Sequence, residues 1–108
     1  MTGQPYTSGT WLVQPGREDE FIARWIAFTS WSRENAPGAE TFLLLRNAAA
    51  PDRFISFGAW DGDASIAAWK MRPEFGKHFA ACRELCADFE GVDYTLAAAV
   101  GVPDQVAR

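Results

Sequence analysis

The residues best placed to do chemistry lie in one run, Arg53–Phe54–Ile55–Ser56–Phe57–Gly58–Ala59–Trp60, which stops at Asp61–Gly62. Its aromatic and branched side chains predict a strand. Alternate strand residues share a face, so Phe54, Ser56, Gly58 and Trp60 point one way and Ile55, Phe57 and Ala59 the other. A hydroxyl and an indole on either side of a glycine leave room for a flat ring, with donors for a ring oxygen. Trp69 follows on the next predicted helix and is expected to line the same space. Two plainer readings stand beside this one: Ser56 as a small strand residue, and Trp60 as a core aromatic beneath a helix. The other candidate donors are Thr41, His78 and Tyr94. No nucleophile–base arrangement, phosphate loop or paired-carboxylate motif is visible.

Metal chemistry is poorly provided for. His78 is the one histidine, and Cys82 and Cys86 are the two cysteines. Zinc held by one subunit needs more ligands than these. The cysteines fall four apart in a predicted helix, on one face but badly placed for a disulfide, so both are expected to be reduced core thiols. His78 reads either as a partly exposed helix residue or as a general base or ligand.

Seven stretches position these residues. Residues 1–7 are expected to form a flexible arm, 8–100 one domain, and 101–108 a tail. Ser8–Val13 reads as a first strand ended by Pro15–Gly16. Glu18–Asp19–Glu20 supply acids to the first turn of a helix, where its dipole favours them. Phe21, Ile22, Trp25, Ile26 and Phe28 recur at helical spacing through about Ser32. A hairpin follows, Thr41–Arg46 and Phe54–Trp60, joined by a turn at Asn47–Asp52. A second helix starts near Ala64, with Asp63 as its N-cap, and Pro73 breaks or kinks it. Phe75, Phe79, Cys82 and Cys86 then form a stripe. Phe89–Gly91 is expected to turn the chain, and Tyr94–Val100 reads as a last strand whose alanines would equally suit a helix.

The order is β-α-β-β-α-β, an α+β unit with one four-stranded antiparallel sheet and the helices on one face. The opposite face is apolar too, so a second subunit is its natural cover. Aromatics make up 14% of 108 residues, with five Trp and eight Phe. That is more than a small core needs, and it points to an apolar cavity, a buried interface, or both. The net charge is −4 without a basic cluster, which argues against a nucleic-acid partner. The polar start and the lack of a long apolar run predict no membrane association and a cytoplasmic location.

The strand ending at Trp60, then Trp69 and Arg72–Pro73–Glu74–Phe75, resemble the antibiotic biosynthesis monooxygenase family. So does Trp11–Leu12–Val13–Gln14–Pro15–Gly16 followed by Phe21. The resemblance covers about residues 8–100 and rests on spaced aromatics and turns. It implies a ferredoxin-like protomer that pairs through its sheet into a homodimeric α/β barrel, with a pocket between sheet and helices. Some members oxidise polycyclic aromatic polyketides with O2 and without metal or flavin, and others degrade heme.

Carried over by position, Trp60 matches the strand-end tryptophan of the polyketide-oxidising members. Ser56 stands where they use an asparagine, and Ile66 where they use a tyrosine. Trp69 matches a tryptophan of the heme-degrading members. Gly9 stands where those members have an asparagine, and Phe79 where they have the proximal histidine, with His78 one residue short. The resemblance thus makes Trp60 and Ser56 the candidate catalytic residues. Trp69, Trp25, Phe28, Phe75, Phe79 and His78 become candidates for substrate binding, and no cofactor or metal is expected. The expected function is cofactor-independent oxygenation of a small aromatic ligand. The rivals are a non-catalytic binding homologue and a heme-binding or heme-degrading protein.

Overall fold

A computed structural model describes residues 3–101. The chain runs β1 (Pro5–Val13), α1 (Glu18–Asn35), β2 (Ala39–Arg46), β3 (Arg53–Trp60), α2 (Asp63–Lys70), α3 (Pro73–Arg83) and β4 (Cys86–Thr95). The strands form one sheet in the order β2-β3-β1-β4, with every neighbouring pair antiparallel. This is the ferredoxin-like α+β arrangement, with the second helix in two pieces.

Local chemistry explains the breaks. Arg72 is extended (ψ 136°) and Pro73 opens α3. A proline forces its predecessor out of the helical region, and its missing N–H costs nothing at a helix start. Between α1 and β2 the chain turns at Gly38, whose φ is 92°. A Cβ there would collide with the side chains of Asp61 and Ser65, so this corner requires glycine twice over. In the β2–β3 turn, the Asn47 side-chain oxygen accepts from the amides of Ala49 (2.9 Å) and Ala50 (3.0 Å).

One face of the sheet meets the helices. Trp11, Val13, Phe54 and Trp60 from the strands pack with Phe21, Trp25 and Phe28 of α1, Ile66 and Trp69 of α2, and Cys82 of α3. Arg24 ties α1 to the end of α3 by donating to the Ala81 carbonyl (2.7 Å) and the Glu84 carboxylate. The opposite face carries Leu43, Leu45, Ile55, Val92 and Tyr94 exposed.

Five expectations are corrected. The first strand begins at Pro5 rather than Ser8, so residues 5–7 of the expected arm belong to the sheet. Residues 1–2 and 102–108 of the arm and tail lie outside the described residues. Asp63 is the first residue of α2, the cap position is Gly62, and no side chain caps that end. Helix α3 stops at Arg83 and Cys86 opens β4 opposite Val13, so Cys86 is not on the helical stripe. Phe89–Gly91 is strand, not turn, and the last strand ends at Thr95 instead of running to Val100. Gly91 lies opposite Gly9, and its purpose is space rather than a bend.

Candidate functional site

Between the sheet and the helices lies a cavity of about 340 Å³. Two cross-strand rows make its floor. In one, Gly91, Gly9 and Ser56 lie side by side on β4, β1 and β3; in the next, Asp93, Thr7, Gly58 and Phe42 do. The glycines leave bare backbone where side chains would otherwise fill the space. A Cβ on Gly9 would come within 3.0 Å of Phe89 and Trp11, and one on Gly58 within 2.8 Å of Phe42 and the Thr7 hydroxyl. Absent side chains of this kind are hard to read from sequence, because a strand glycine looks like a weakness or a bulge.

The walls are aromatic rings in mutual contact. Trp69 meets Phe75 edge-on at 4.6 Å, and Phe75 and Phe79 lie parallel at 6.0 Å. Phe79 meets Phe89 at 5.0 Å, and Phe89 meets Trp11 at 4.3 Å. From α1, Phe28 stacks on Trp69 at 5.6 Å, and Trp25 lies on the same lining. Offset and edge-to-face pairs at these separations add to the stabilisation from burial alone.

Hydroxyls anchor three of the indoles. Trp69 donates to Ser32 at 2.8 Å, and Ser32 in turn donates to the Phe28 carbonyl at 2.8 Å. Trp11 donates to Ser56 at 3.0 Å. Trp60 donates to Thr7 at 3.1 Å. These indole N–H groups are therefore spent on the protein, and Trp11 and Trp69 act as fixed walls. Ser56 reaches the Gly9 carbonyl only at 3.4 Å, a poor bond, so its hydroxyl is loosely engaged. Thr7 accepts from Trp60, and among the described residues its own O–H makes no hydrogen bond.

The candidate site residues separate accordingly. Ser56, Trp69, Trp25, Phe28, Phe75 and Phe79 come together on the cavity lining. Trp60 and His78 do not. Trp60 is fully buried behind the lining, 4.7 Å from Trp69 and edge-on to Phe42. It reaches the cavity only through the Thr7 hydroxyl that it orients. His78 lies between α1 and α3, its ring parallel to Phe28 at 5.8 Å and 5.2 Å from Trp31. Arg72 covers the outer side of Trp31 at 5.5 Å and donates to the Asn35 carbonyl at 2.7 Å. Sequence reasoning missed Thr7, Trp11, Phe42, Lys70, Phe89 and Asp93. Continuing the alternation of β1 back from Trp11 through Gly9 would have found Thr7.

Among the described residues no histidine, cysteine or methionine lines the cavity, so that lining does not fit a heme that needs an axial ligand from the protein. Among the described residues no cluster of three metal-binding side chains exists. Both cysteines are free and buried, and burial pushes the Cys82 thiol up to about 12. Among the described residues no helix is long and apolar enough to cross a membrane.

A sequence model of the antibiotic biosynthesis monooxygenases matches residues 8–81. The chain belongs to that family. No curated protein matches the sequence. Among solved structures, this family member is similar to SnoaB, a cofactor-independent oxygenase from Streptomyces nogalater. That match has 18% identity and a TM-score of 0.84 over 93% of this chain and 99% of SnoaB. A protein from Nitrosomonas europaea shares 23% identity and a TM-score of 0.76, over 88% of this chain and 92% of that one. A Shewanella oneidensis protein shares 17% identity and a TM-score of 0.75, over 86% of this chain and 90% of its own. At these identities the likeness establishes the fold, which is that of the antibiotic biosynthesis monooxygenases.

Proposed function

We propose that this protein is a cofactor-independent monooxygenase acting on a small, planar, polyketide-like aromatic. The observation that carries this reading is the bare floor of Gly9, Gly58 and Gly91 beneath a contiguous set of aromatic walls. Such a slot fits a flat fused-ring system. The chemistry asks little else of the protein. A phenol or enol loses a proton, and its anion passes an electron to O2 in a dry site that holds the anion with hydrogen-bond donors. In an anthrone, the methylene between two rings would become a carbonyl, one atom of O2 entering the product and the other leaving as water. Ser56 and Thr7 supply the hydroxyls, Trp60 fixes Thr7, and Trp25, Phe28, Trp69, Phe75 and Phe79 hold the ring.

The fold shared with SnoaB supports the reading. The exposed apolar face of Leu43, Leu45, Ile55, Val92 and Tyr94 supports pairing of two protomers through their sheets. We assign the protein to the cytoplasm, where both thiols stay reduced. The test is oxygen uptake with an anthrone or an aromatic hydroquinone. Consumption of O2 above the spontaneous rate, reduced in Ser56→Val and Thr7→Val, is expected. Saturable binding of the same compounds with no uptake would make the protein a non-catalytic binder.

A further inference from the structure

The cavity has one charged corner. Of the described side chains that line it, only Lys70 and Asp93 carry charge, Lys70 at the end of α2 and Asp93 on β4. Those from β1, β2, β3, α1 and α3 are neutral. Both charged groups are open to solvent, with side-chain exposures of 46% and 64%, which places them at the mouth. Their ion pair is long, 3.8 Å from Nζ to Oδ2, and the ammonium makes no closer hydrogen bond among the described residues. Its donors are thus available. Asp93 is the strand partner of Thr7, so the Thr7 hydroxyl occupies the same row as this pair. A cation and a hydroxyl thus both belong to the lining of one cavity whose walls are mainly aromatic.

We propose that Lys70 and Thr7 form an oxyanion-binding corner, and that the ligand presents an ionised phenolic or enolic oxygen to it while its rings lie over the glycine floor. The inference rests on the aromatic-slot reading and specifies its substrate as an acidic aromatic. Proton loss from the bound hydroxyl goes to water at the mouth. The resulting anion replaces the Asp93 carboxylate as the partner of the ammonium. Lys70 acts by stabilising the charged form of the ligand, and Asp93 competes with that form, because an opposite charge nearby favours ionisation and a like charge opposes it.

The probe is 4-nitro-1-naphthol, whose oxide absorbs in the visible, with 1-nitronaphthalene as the uncharged control. Titrating the bound naphthol across pH should show its ionisation about 0.7 of a unit below that of the free compound. Lys70→Met should erase the shift and weaken oxide binding about fivefold, while binding of 1-nitronaphthalene stays unchanged. Lys70→Arg should retain most of the shift, and Asp93→Asn should deepen it. An identical bound ionisation in the native protein and Lys70→Met would overturn the corner while leaving the slot intact. Failure of both probes to bind would overturn the slot and the corner together.

Discussion

Trp60 and Thr7 are joined by a 3.1 Å hydrogen bond from a fully buried indole to a hydroxyl on the cavity lining. The pair links a residue with no access to a ligand to one that has it. Thr7→Val would leave the indole N–H buried and unpaired, at a cost of about 1–3 kcal/mol in unfolding free energy. Thr7→Ser should restore most of that. Trp60→Phe combined with Thr7→Val should show strong coupling, because the valine no longer strands a donor. Urea unfolding of the native protein, Thr7→Val, Trp60→Phe and the double variant measures it, and simple additivity would show that the bond contributes nothing.

The glycine floor predicts a graded series. Alanine at Gly58 places a methyl 2.8 Å from Phe42 and from the Thr7 hydroxyl. It should destabilise by about 1–3 kcal/mol and abolish quenching of tryptophan fluorescence by aromatic ligands. Alanine at Gly91 meets its nearest atom, on Phe89, at 3.3 Å, and should be tolerated with weakened ligand binding. Equal effects at the two positions would contradict the shape described for the floor.

The outer sheet face predicts a change of assembly. Leu43 stands exposed there, opposite Phe57 on β3. Leu43→Lys should halve the mass measured by light scattering at micromolar concentration and leave the fold intact by circular dichroism. A native protein that scatters as a monomer would remove the sheet-paired dimer.

Cys82 predicts a dependence on alkaline pH. Burial raises its thiol from 9.0 to about 12, with the neighbouring Cys86 adding to the effect. The unfolded chain therefore loses this proton first, and the folded state holds it longer. The stabilisation is complete below about pH 9 and is lost as the pH rises towards 12. Cys82→Ala should flatten that part of the stability curve relative to the native protein. Thiol counting should find both cysteines unreactive when folded and free when denatured.

The fold was readable because its signals are local: apolar period, proline and glycine at the corners, acids at the start of α1. The order of elements and the side of β3 that carries Ser56 follow from those signals alone. The boundaries around β4 were not readable, since Cys86 continues a helical stripe and Gly91 imitates a turn. In both cases pairing with β1 outweighs local preference, and only tertiary contact supplies it. The site was half readable. Rings at helical spacing announce a cavity, whereas Thr7 and Asp93 gain their place from strand register, and His78 loses its place to a stack on Phe28.

Strand β1 is paired on both edges and contributes Thr7, Gly9 and Trp11 to one side of the sheet and Tyr6, Ser8, Thr10 and Leu12 to the other. The cavity floor and the opposite sheet face are thus written in alternate codons of one nine-residue segment. A single-residue insertion there would exchange the two sets of side chains. The lineage that carries this chain can revise the pocket through point substitutions and the loops around it, but the length of that segment is inherited as a fixed quantity.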